Sequence, residues 1–209
     1  MAINIAIDGP AGAGKSSTAK LIAKKLGYIY VDTGALYTKD AEKGIATLPD
    51  IKVEIKFVDG TQHVFLNGED VSDAIRTPEA SMGASNVSAI PKVREFLFDL
   101  QRSIAAENNC IMDGRDIGTV VLPNADVKIF LTASVEERAN RRYKEMIEKG
   151  ESADYNDILE DIKKRDYQDS HREIAPLKQA DDAILVDNGG YNLETGTEYL
   201  LGIIKEHLK

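Results

Sequence analysis

The sequence predicts an α/β protein: a five-stranded parallel sheet flanked by helices, with a small antiparallel β insertion and a helical lid. Three observations carry that prediction. Short β-branched runs alternate with segments of helical periodicity. The first strand-to-helix connection is Gly9-Pro10-Ala11-Gly12-Ala13-Gly14-Lys15-Ser16, the spacing of a phosphate loop. Between residues 51 and 70 the texture changes to strict alternation broken by Asp59-Gly60 and Asn67-Gly68, a hairpin signature.

Taken in order, Ile3-Asn4-Ile5-Ala6-Ile7 is a short apolar strand, and from Ser17 to Leu26 the residues Ala19, Leu21, Ile22, Ala23 and Leu26 form the apolar face of a helix. A second strand, 28–31, ends at Asp32-Thr33-Gly34. Strand, helix and strand in succession imply parallel neighbours, and ligands gather at the carboxyl ends of such strands. The alternating arms 52–58 and 61–66 belong to an insertion spanning 38–84. Helical periodicity returns over 93–106, and 110–112, 127–131 and 183–186 complete the five core strands. Two charged helices, 134–149 and 155–169, are separated by Gly150-Glu151-Ser152-Ala153-Asp154. They are too polar for a core, so the region 138–172 reads as a candidate mobile lid. Residues 192–209 form a closing helix, and no repeat divides the chain, which reads as one domain over 1–209.

A length of 209 residues with 43% hydrophobic and 29% charged side chains is enough for one sizeable core. No apolar run approaches the roughly 20 residues of a membrane span, and the N-terminus lacks the layout of a signal peptide, so a cytoplasmic protein without a membrane partner is expected. A net charge of −9 argues against a broad hold on nucleic acid. The basic residues nevertheless cluster: Arg138, Arg141, Arg142, Lys144, Lys163, Lys164, Arg165 and Arg172 fall in one stretch, suited to a cleft for a small polyanion. Some, including Lys144 and Lys163, read as solvated helix faces. Cys110 reads as a packing residue, and His63, His171 and His207 as bystanders.

The glycines of the loop let consecutive N–H groups point inward, and the helix opening at Lys15 adds the positive end of its dipole. Gly9, Pro10, Ala11, Gly12, Ala13, Gly14, Lys15, Ser16 and Ser17 thus form a candidate site for ATP, with Lys15 on the β- and γ-phosphates and the Ser16 hydroxyl on Mg²⁺. Asp113-Gly114-Arg115-Asp116 follows a buried strand, so its charges emerge at the same edge. Asp113 is a candidate Mg²⁺ ligand through water, and Arg115 a clamp for an acceptor phosphate. Asp116 suits either acceptance from an exocyclic amine or a helix N-cap. Arg165, Asp169 and Arg172 share one helical face, as phosphate contacts or as an intrahelical ion-pair ladder.

Five segments resemble those of bacterial cytidylate kinases, nucleoside monophosphate kinases of the P-loop class. They are Ile7 to Ser16, Asp32-Thr33-Gly34-Ala35-Leu36-Tyr37, Ile90-Pro91-Lys92-Val93-Arg94-Glu95, Met112 to Thr119, and Arg165 through Arg172 to Ala175-Pro176-Leu177. The resemblance covers nearly the whole chain and implies transfer of the γ-phosphoryl group of ATP to CMP or dCMP by a monomer acting on small molecules. It implies that Thr33, Ser85, Arg94 and Asp116 ring the base, and that Arg165 and Asp169 approach the acceptor's sugar and phosphate. Arg172 would contact the phosphate under attack, making Lys15, Arg115, Arg165 and Arg172 the catalytic set. Arg141 takes the lid position over ATP by the resemblance, and by its spacing an ion pair with Glu137 or Glu145.

One departure stands out. Family members continue past the tyrosine matched by Tyr37 with a phosphate-binding arginine and a helix of about a dozen residues, whereas Tyr37 here runs into Thr38-Lys39-Asp40. Lys39 would restore only part of the charge. An intact mass of 22.9 kDa would mark a true deletion and predicts weak CMP binding, whereas a larger mass would mean that the helix is present.

Overall fold

In a computed structural model the described residues are 1–34, 52–58, 61–76, 88 and 90–208. The central strand β1 (Asn4–Asp8) feeds the phosphate loop, which opens helix α1 (Lys15–Leu26) and leads to β2 (Ile29–Asp32). Later come α2 (Pro91–Glu107), β6 (Cys110–Gly114), β7 (Val127–Thr132), the helical pair α3 (Val135–Glu148) and α4 (Tyr155–His171), β8 (Ile184–Asp187) and α5 (Leu193–His207). The expected five-stranded parallel sheet is present in the order β2-β6-β1-β7-β8.

Local chemistry sets the helix starts. α2 opens on Pro91, whose missing N–H costs nothing there. Ser134 caps α3 through the Glu137 N–H, and Asp154 caps α4 through the N–H groups of Asn156 and Asp157. Asn192 and Thr195 form a reciprocal capping box on α5.

The insertion is antiparallel, as its alternation predicts: β3 (Val53–Val58) pairs with β4 (Thr61–Leu66). A third short strand, β5 (Glu69–Asp70), returns after the Asn67-Gly68 turn, a strand that two residues are too few to signal. The sequence also gave no sign of the single π-helical turn over Ile117–Val121. The segment after Tyr37 lies outside the described residues.

The loop is pressed close to the sheet. Gly9 has φ +146°, and a Cβ there would stand 2.0 Å from the Leu131 carbonyl oxygen, a backbone atom of a strand held between β1 and β8. Neither partner can yield, so Gly9→Ala should lower stability by about 3 kcal/mol, measured as a fall in the urea midpoint.

Candidate active site

Successive side chains of a strand face opposite sides of a sheet, and that parity distributes the site. Ile5, Ile7, Tyr30, Ile111, Ile129 and Leu131 pack toward α1 and α5, whereas Ala6, Val31, Cys110 and Met112 pack with Ala105, Ile117 and Val121. Asp113 therefore follows Ile111 onto the α1 face, and Asp8 follows Ala6 onto the opposite one.

On the α1 face the Ser16 hydroxyl donates to Asp113 at 2.8 Å and the Tyr30 hydroxyl at 2.9 Å. Burial, and then the charge of Asp32, push the Asp113 carboxyl up to about 6 despite Lys15 nearby. Adjacent hydroxyl and carboxylate oxygens fit a hard divalent cation. Among the described residues no group of three or more His, Cys, Asp or Glu side chains is placed to hold a metal ion. Thr33 donates its hydroxyl to the Asp113 carbonyl at 2.7 Å, which fixes it at the end of β2.

Lys15 is 5% exposed, and its ammonium donates to the Pro10 carbonyl at 2.7 Å. Burial, and next the charge of Arg115, lower its pKa to about 7. Arg165 is depressed by burial and again by Arg115, and its buried Nε has no hydrogen-bond partner among the described residues. Arg115 donates through Nε to Asp169 at 2.7 Å. Burial opposes the Asp169 charge, but Arg115, with Arg165 and Arg172, outweighs it and holds that carboxyl below the ordinary range. These cations crowd one buried spot, which disfavours them until an anion arrives.

Beside them, Asp116 is clasped by Arg94 and by Arg172, the latter at 3.2 Å. Arg94 also donates to the Ser88 carbonyl at 3.3 Å, and Arg172 to the Ala175 carbonyl at 2.6 Å and the Ser88 hydroxyl at 3.2 Å. Asp116 does stand at the N-cap of the π turn, yet its side chain caps nothing, which corrects the capping alternative. The ion pairs are not confined to one helix, since Arg115–Asp169 and Arg172–Asp116 join different elements, while the charges of Arg165 and Arg172 also act on Asp169. Arg141 pairs with neither Glu137 nor Glu145. Its guanidinium donates to the carbonyls of Asn188 and, at 3.4 Å, Ala13.

The structure thus brings Lys15, Ser16, Thr33, Arg94, Asp113, Arg115, Asp116, Arg165, Asp169 and Arg172 to one sheet edge. Ser85 lies outside the described residues. Lys163 pairs with Glu160 on an exposed face, as its solvated reading expected.

Sequence reasoning gave no role to Tyr30, Asn188 or the Asp8 side chain, and placed Arg138 only within the basic stretch. Tyr30 was legible from parity alone. Arg138, 3% exposed, forks onto Asp166 at 3.0 and 2.6 Å and donates to the Ala11 carbonyl at 2.9 Å, tying α4 to the phosphate loop. Asn188 donates to the Ala13 carbonyl at 3.0 Å. Asp8, 4% exposed, accepts from the N–H groups of Ile117 at 2.8 Å and Gly118 at 2.7 Å. Burial, outweighing those bonds, lifts its carboxyl to about 6. No signal in the sequence marks these last three partnerships.

A parallel sheet whose central strand ends in a phosphate loop, faced by an arginine-bearing helical pair, defines a P-loop phosphotransferase. Residues 5–206 match the cytidylate kinase family. The cytidylate kinase of Caldicellulosiruptor bescii is 50% identical over 220 aligned positions, covering 99% of this chain and 97% of that one. That of Carboxydothermus hydrogenoformans is 49% identical, covering 97% of each chain. A crystal structure of an uncharacterized protein from Eubacterium ventriosum shares the fold, with a TM-score of 0.59 at 17% identity over 99% of both chains. The chain belongs to the cytidylate kinase family. The 220 positions aligned with the Caldicellulosiruptor bescii protein exceed the 209 residues of this chain, so at least 11 of them have no counterpart here.

The depressed Lys15 pKa predicts a proton-linked binding step. At pH 8 the free lysine is mostly neutral, and bound phosphate favours its charged form, so ATP binding should take up about one proton at pH 8 and almost none at pH 6. Calorimetry in buffers of differing ionisation enthalpy measures this, and Lys15→Met should abolish the uptake.

Proposed function

We propose that this chain transfers the γ-phosphoryl group of ATP to CMP or dCMP, giving ADP and CDP or dCDP. The observation that supports it best is the convergence of Lys15, Arg115 and Arg165, one of them with a buried donor that meets no acceptor among the described residues, beside a carboxylate held by two further arginines. Such charge suits two phosphates meeting end to end, and Asp116 suits the exocyclic amine that cytosine has and uracil lacks.

In this reading the loop residues Gly9 to Ser17 cradle the ATP phosphates, and Lys15 follows the γ-phosphoryl group into the transition state. Ser16 and Asp113 would hold Mg²⁺, which neutralises the phosphate charge that develops between donor and acceptor. Arg115 and Arg165 fix the acceptor phosphate in line, and Asp169, already paired with Arg115, orients that clamp and reaches the sugar. Arg172 exchanges its contact with Asp116 for the attacked phosphate, which frees Asp116 for the base amine. Thr33, Ser85 and Arg94 complete the base pocket. Arg141 stands between the loop and the carbonyl of Asn188, at the donor side. The helical region 138–172 serves as the lid and 38–84 as the acceptor-side insertion. No general base is required, because a phosphate monoester is an anionic nucleophile near neutral pH. This reading takes the enzyme as a cytoplasmic monomer acting on small-molecule substrates.

ADP release measured with and without CMP tests the reading: strong dependence on CMP is expected, and indifference would indicate an ATPase. Lys15→Met should lower kcat by about 100-fold or more, since it removes a charge aimed at the transition state. Asp116→Ala should mainly erode the CMP:UMP ratio of kcat/KM, by about 100-fold, because a polar pocket rejects a base that leaves it unpaired. A wild-type ratio in that variant would overturn the assignment of the base pocket.

A further inference from the structure

Asp8 lies where the phosphate loop meets the turn that carries Asp116. Its backbone is the last residue of β1 before the phosphate loop, with its Cα opposite Gly114 of β6 and Phe130 of β7. Its side chain points to the other face of the sheet from Asp113. There each carboxylate oxygen takes one backbone N–H, from Ile117 and from Gly118, at 2.8 and 2.7 Å. On the far side of the same turn the Asp116 carbonyl accepts from the N–H groups of Val120 and Val121. The backbone that carries Asp116 is therefore held from both ends, and only its side chain is left to choose partners. Gly118 has no spare room: a Cβ there would stand 3.2 Å from the Lys128 stem and 3.4 Å from the Asp8 carboxylate.

A buried carboxylate is costly unless its oxygens are filled, and charge-assisted bonds to two successive backbone N–H groups are a strong way to fill them. The cost is borne where the chain departs from regular structure, at the π turn that aims Asp116.

We infer that Asp8 is the positioning residue for base selection: by gripping the N–H groups of Ile117 and Gly118 it sets the direction of the Asp116 carboxylate. This inference rests on the proposed use of Asp116 toward cytosine. Because the hydrogen bonds of Asp8 go to the turn, and its link to the loop is only its charge near Lys15, its loss should appear mainly in the acceptor's parameters and change those of ATP little. A merely structural role would lower the melting temperature without separating the two substrates.

The test is Asp8→Asn, an isosteric change that sets an NH₂ group against a backbone N–H. KM for ATP and for CMP, and kcat/KM for CMP and for UMP, are measured for wild type, Asp8→Asn, Asp116→Ala and the double variant. In Asp8→Asn the CMP:UMP ratio should fall about tenfold while KM for ATP changes less than about threefold. In the Asp116→Ala background the same change should lower the ratio less than about twofold, because the two act as a unit. An unchanged ratio in folded Asp8→Asn, a parallel rise of both KM values, or full additivity with Asp116→Ala would overturn the inference. If Asp8→Asn does not fold, Gly118→Ala presses on the same joint and should lower the ratio about threefold; a wild-type ratio there would overturn the inference equally. A wild-type enzyme with no preference for CMP would instead overturn the proposed function, and this inference with it.

Discussion

The parallel registry of β1 with β6 and β7 is the constraint on which the site depends. It brings the ends of these strands to one edge, with Ile7 level with Asp113 and Asp8 level with Gly114. Parallel pairing is bought with long crossovers, and those crossovers supply the helices that cover both faces. Once the registry is set, the pleat sends Asp113 toward Ser16 and Asp8 toward the π turn. A slip of one residue would exchange them and place each carboxylate on the wrong face.

Electrostatic cost is concentrated at that edge. Lys15 and Arg165 are depressed and Asp8 and Asp113 raised, all chiefly by burial. Groups held away from their preferred charge state are poorly placed for stability and well placed to gain from a ligand of opposite sign. The arginine–carboxylate pairs Arg115–Asp169 and Arg172–Asp116 hold the cations in place between elements distant in sequence. A phosphate that competes for those arginines would meet them already oriented.

The helical pair is coupled to the loop through the Arg138 fork on Asp166 and the Ala11 carbonyl. Asp166 is the neighbour of Arg165, so the position of Arg165 is referred to the phosphate loop. Arg141 makes a second tie, to the carbonyls of Ala13 and Asn188. The basic stretch that looks like one patch in the sequence thus divides by depth. Arg138 and Arg141 brace the loop, Arg165 and Arg172 lie beside Arg115 and Asp116, and Lys163 and Arg142 pair with Glu160 and Glu145 in solvent.

Local patterns were enough for the sheet, the phosphate loop, the hairpin and the helical pair, because periodicity and turn chemistry act over a few residues. The carboxylate-bearing segment 113–116 was also legible, since a polar cluster directly after a buried strand can emerge only at its end. What the sequence alone could not decide was partnership. Whether Asp116 caps a helix or meets Arg94 and Arg172, and whether Arg141 meets a glutamate or a carbonyl, depends on elements 22 to 56 residues apart that come together only on folding. Likewise, nothing near Asp8 in the chain announces the N–H groups more than 100 residues away that take its carboxylate. The residue types fixed which chemistry was possible at this edge; the packing of distant elements chose which charge each would face.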